Sequence, residues 1–101
     1  THHIHEANMT QIVINACPGG FGLSELASVH YRALAGIPLA EYRWDLQRDD
    51  LALVQTVLEL GEAANGQYAK LKVVTIPDDV DWTICEYHGR EWVAEAHRTW
   101  S

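Results

Sequence analysis

Ten residues constrain this chain more than any other stretch: Asn15-Ala16-Cys17-Pro18-Gly19-Gly20-Phe21-Gly22-Leu23-Ser24. Three glycines in four positions behind a proline neither continue a strand nor fill a helix interior, so the chain must turn here. Upstream, Ile12, Val13 and Ile14 form a short run that is apolar on both faces, which reads as an internal strand over 11–17. Downstream, Leu26, Val29, Ala33 and Leu34 recur at helical spacing, with Ser24 placed to cap the helix and Gly36, followed by Pro38, to stop it.

A glycine turn leading from strand to helix can aim main-chain N–H groups and a helix N-terminus at an anion. The pattern is neither G-x-G-x-x-G nor G-x-x-x-x-G-K-[ST], and no lysine follows to neutralise a triphosphate. Two uses compete. One is a tight turn whose Phe21 plugs the core; the other is a contact surface for a ligand or a partner's main chain, made by Asn15, Gly19, Gly20, Phe21, Gly22 and Ser24. A thiol just ahead of a helix N-terminus is also a route to a nucleophile, but a base for Cys17 would have to come from His30, His88 or His97, and local spacing places none of them there. No catalytic residue is assigned, and no cofactor is expected.

The rest of the chain alternates in the same way. Residues 41–46 read as a short strand. Asp49 and Asp50 open a second helix carrying Leu51, Val54, Val57, Leu58 and Leu60, with Asn65-Gly66 as its stop signal. Residues 68–76 are rich in β-branched side chains and end at Pro77-Asp78-Asp79, and 82–87 and 90–96 flank His88-Gly89 as arms of a hairpin. The order β-α-β-α-β followed by a hairpin predicts an α+β fold with a mixed sheet. Right-handed crossovers would make the early strands parallel neighbours, with helices packed on the sheet.

The 101 residues suit one domain, read here as 9–101. Thr1 to Asn8, with His2, His3 and His5 ahead of Met9, read as an expression remnant or disordered leader, and a flexible tail gives its histidines no second shell for a metal. No window approaches 18 apolar residues, so no membrane span is expected. Fourteen acidic against seven scattered basic side chains argue against duplex nucleic acid as a partner. The acids gather at Asp45, Asp49 and Asp50, and again at Asp78, Asp79 and Asp81, either as a solvated surface or as a mimic of nucleic-acid phosphates. Cys17 and Cys85 are 68 positions apart and are expected to stay reduced.

The ending, Glu95-Ala96-His97-Arg98-Thr99-Trp100, combines aromatic and basic groups that suit recognition, so Arg90, His97, Arg98 and Trp100 join the candidate contacts, with Arg90 or Arg98 as counter-charge to an anion. Together with I-V-I-N-x-C-x-G-G-F-G-L-S, R-D-D-x-x-L-V and I-P-D-D-V-x-W, this ending resembles a family of small proteins encoded by tailed phages and prophages. The chain departs from that pattern at Pro18, a position often aromatic in the family, and at His88, which replaces Asp. The resemblance implies a host bacterial cytoplasm and, by analogy, a non-catalytic protein that binds a host factor, such as a component of a defence system. A small anionic ligand such as a nucleotide at the glycine loop is the alternative. Oligomeric state and strand order do not follow from the sequence.

Overall fold

The computed structural model describes residues 9–37 and 46–95. The leader, the strand expected at 41–46 except Leu46, and the contacts expected at His97, Arg98 and Trp100 lie outside the described residues.

The chain is α+β. Strand β1 (Met9–Asn15) leads through the glycine loop to helix α1 (Glu25–Ala35). Helix α2 (Leu51–Leu60) follows, extended by a 3-10 turn at Gly61–Ala64, and then come β2 (Leu71–Pro77), β3 (Trp82–Tyr87) and β4 (Arg90–Glu95). The strands form two separate antiparallel pairs, β1 with β2 and β3 with β4.

Both pairs of described strands are antiparallel, and β1 meets β2 antiparallel where the early strands were expected to be parallel neighbours, with Met9 opposite Pro77 and Asn15 opposite Leu71. The described part of the connection between them carries both α1 and α2, not the single crossover helix of a parallel βαβ unit. β1 is nevertheless buried on both faces at Ile12, Val13 and Ile14. Its outer edge is closed by the Val13 amide donating to the Arg48 carbonyl at 2.8 Å.

The local signals for the helices hold with one shift. Ser24 Oγ accepts from the Ala27 amide at 3.0 Å, and Gly36 ends α1 in the left-handed region at φ 74°. Asp50 caps α2 by accepting from the Ala52 amide, but the helix stops at Gly61, ahead of Asn65-Gly66. His88 and Gly89 have φ 54° and 90°, the paired positive values that a two-residue hairpin turn requires.

The core gathers Val13 from β1, Ala27 and Tyr31 from α1, Leu53, Val54 and Val57 from α2, and Ala64. Thr56 is fully buried and returns its hydroxyl to the Ala52 carbonyl one turn back, which satisfies it. Part of the apolar pattern of α1 points the other way from its burial. Leu26 and Val29 are 56% and 47% exposed, while Ala27 and Tyr31 face inward, with Leu34 on their side of the helix but 42% exposed near its end. Two polar ties set that rotation: the Tyr31 hydroxyl donates to Asp50 Oδ2 at 3.0 Å, and Ser24 Oγ donates to the Ala63 carbonyl at 2.7 Å.

Leu53→Ala is therefore expected to cost roughly 2–5 kcal/mol in urea unfolding, by deleting a fully buried side chain. Leu26→Ala is expected to stay within about 0.5 kcal/mol of the parent. Equal losses would mean that the helix is rotated differently.

Candidate functional site

The glycine loop is the meeting point of three distant segments. Asn15, at the end of β1, is fully buried and organises them. Its Nδ2 donates to the carbonyls of Cys17 at 2.6 Å and Gly89 at 2.7 Å, and its Oδ1 accepts from the Lys70 amide at 2.8 Å. The main chain of Asn15 donates to Glu91 Oε1 at 2.8 Å. A buried amide with its donors and acceptor engaged in this way fixes geometry, because losing any partner leaves a polar group dry and unpaired.

Glu91 holds the next connection. Arg48 grips it through two parallel bonds, Nη1 to Oε1 at 2.6 Å and Nη2 to Oε2 at 2.9 Å, and the Glu91 side chain is only 9% exposed. Burial pushes the Glu91 carboxyl up, but the hydrogen bonds from Arg48 and the Asn15 amide, together with the Arg48 charge, outweigh it and hold the group below the usual carboxylate range. The Arg48 guanidinium also lies 3.7 Å above the centre of the Phe21 ring. Phe21 thus packs under a cation that is itself already neutralised.

Gly19, Gly66 and Gly89 are required by close main-chain approach. A Cβ on Gly19 would lie 2.3 Å from the Tyr68 carbonyl oxygen, one on Gly66 would lie 2.8 Å from the Gly22 carbonyl carbon, and one on Gly89 would lie 2.6 Å and 2.7 Å from the nitrogens of Gly20 and Gly19. The Gly66 amide donates to the Gly22 carbonyl at 2.9 Å, and Leu23 forms a bridge with Asn65. The hairpin turn therefore crosses directly over the Gly19 and Gly20 amides.

Of the residues singled out in the sequence, Asn15, Gly19, Gly20 and Phe21 come together here, whereas Gly22 lies against Gly66 and Ser24 against Ala63 and Ala64. Arg90 is exposed at the first position of β4. Arg48, Glu91, Gly66 and Gly89 complete the constellation and were not among the predicted contacts. Arg48 lay within the R-D-D motif and Gly89 within the hairpin turn, but no local spacing links either to the loop. Cys17 Sγ lies 3.4 Å from the Tyr68 carbonyl and 3.7 Å from Asn15 Oδ1, and both cysteines are free. No group of three metal-ligating side chains occurs among the described residues, and no helix among them is long and apolar enough to cross a membrane.

Neither a protein-family model, nor a curated protein, nor a solved structure matches this chain.

Two outcomes test this assembly. Glu91→Gln is expected to destabilise the fold by on the order of 3 kcal/mol at neutral pH by stranding Arg48. Because the folded-state Glu91 carboxyl is depressed, its contribution is complete above the usual carboxylate range and fades as pH falls through the lowered value. Urea titrations from pH 7 to pH 3 should thus show a shallower acid loss in the variant. Gly89→Ala should cost more than Gly36→Ala, which suffers positive-φ strain of about 1 kcal/mol but meets open space. Equal melting temperatures for the two would remove the close crossing.

Proposed function

We propose that this chain is a phage- or prophage-encoded binding protein that acts on a host factor in the bacterial cytoplasm by contact rather than by chemistry, a defence-system component being the specific version. The observation that carries this reading is the apolar patch of Leu26 and Val29, with the exposed Ala33 between them, on the outer face of α1. Large apolar side chains at helical spacing, left outside while the opposite face is packed, are what a macromolecular partner covers. The acidic turn at Asp78, Asp79 and Asp81 adds an exposed negative rim. It is shaped by the Val80 amide donating to the Pro77 carbonyl and by the Thr10 hydroxyl donating to Asp78.

The alternative, an anionic small ligand at the loop, has one observation in its favour: the Gly19 and Gly20 amides donate to no group among the described residues. Against it, the hairpin turn crosses over those same nitrogens, and Arg48, the cation nearest the loop's Phe21, is paired with Glu91.

Leu26→Glu with Val29→Glu should leave stability within about 0.5 kcal/mol per exposed site. It should abolish capture of the host protein that the parent retains in affinity purification. Reversal of Asp78, Asp79 and Asp81 to lysine should weaken the same capture if the partner is basic. Melting in a panel of nucleotides should stay flat; a rise equivalent to about 2.7 kcal/mol, that expected at one hundred times the dissociation constant, would establish the ligand reading instead.

A further inference from the structure

In the β1/β2 pair the direction of each main-chain group is fixed by bonds outside the ladder. The Val13 amide goes to Arg48 and the Asn15 amide to Glu91, so both point away from β2, and their opposite numbers Val73 and Leu71 point away from β1. The Leu71 amide confirms the phase by donating outward to Asn65 Oδ1 at 2.7 Å. Continuing the alternation, the N–H and C=O groups of Val73 and Thr75 face outward on the free edge of β2, and Pro77, with no N–H, ends it. Among the described residues nothing pairs with Val73 or Thr75 there.

An open edge by itself is common, and lysines on it serve to discourage pairing. Here, however, the edge borders a groove of about 470 Å³ between β2 and the end of α2, lined by Val57, Leu58, Glu62, Lys70, Lys72 and Val73 among others. A guarded edge has no need of an apolar trough beside it. Strand alternation also sorts the lining: Leu71 and Val73 pack towards the core with α2, whereas Lys70 and Lys72, two apart, take the other side. These are the only two lysines in a chain of formal charge −7. A second copy would bring two more lysines to the same edge, whereas an acidic strand would match them.

We propose that the free edge of β2 takes up an extended segment of a partner protein as an added strand, its apolar residues against Val57, Leu58 and Val73 and its alternating acidic residues beside Lys70 and Lys72. Main-chain bonds to Val73 and Thr75 supply the register, and the charges select the sequence. No α1 residue takes part, so this surface is independent of the outer face of α1.

The test uses the full ¹⁵N-labelled chain and two synthetic peptides, acetyl-Val-Asp-Val-Asp-Val-amide and its Val-Lys-Val-Lys-Val counterpart. At millimolar concentration the acidic peptide should slow hydrogen exchange of the Val73 and Thr75 amides at least fivefold. It should leave Ile84 and Val93, which face outward on the hairpin edges, unchanged. The lysine peptide should do neither. Lys70→Glu with Lys72→Glu should reverse the preference, and Thr75→Pro, which removes one outward donor at an edge position, should abolish protection at Val73 while retaining the parent's circular dichroism. If Thr75→Pro does not fold, the charge-swap pair alone decides. Protection confined to Ile84 or Val93, unchanged exchange with either peptide, or protection of Val73 that grows with protein concentration in the absence of peptide would each overturn the proposal, the last by assigning the edge to a second copy.

Discussion

Everything around the glycine loop depends on one buried carboxamide. Asn15 ends β1 where the chain leaves the sheet, and its side chain reaches its own loop, the segment entering β2 and the hairpin turn at once. A hydrophobic residue there would leave the Lys70 amide and two carbonyls without partners. A longer amide would not close the local bond to Cys17. The Arg48–Glu91 pair adds a second tie to the same strand end, so the two small sheets are joined by polar contacts at a point where neither sheet alone has enough apolar area to be stable.

Around that centre the glycines act as an absence of side chain. Gly19, Gly66 and Gly89 stand where backbone meets carbonyl, backbone or amide at distances that no Cβ tolerates. The loop is thereby turned from a presented surface into a junction. A turn that looks suited to cradling an anion is largely occupied by another piece of the same chain, and this is why the proposed recognition surfaces lie on helix and strand and not on the loop.

Those surfaces have different chemistry. The outer face of α1 offers side-chain area without directed hydrogen bonds. The β2 edge offers main-chain donors and acceptors with a charged margin. A domain of this size that stabilises itself through a polar junction and a small core retains much of its apolar surface outside. Leu51, Leu58, Tyr68 and Tyr87 are exposed along with the α1 patch, and such area becomes functional when a partner covers it.

Local chemistry determined a good deal by itself. Ser24 and Asp50 as caps, Gly36 as a left-handed stop, His88-Gly89 as a hairpin turn, and the apolar run at Ile12 to Ile14 all follow from preferences that act within a few residues. They appear where the sequence places them. What tertiary structure alone decided concerns relations between segments. β1 and β2 pair antiparallel across more than fifty positions, polar ties from Tyr31 and Ser24 hold the buried face of α1 inward, and Gly89 was brought over Gly19 and Gly20 from 69 positions away. Periodicity shows that a helix has an apolar stripe, but the partner that would cover it is set by long-range contacts, and those are not written into the spacing of neighbouring residues.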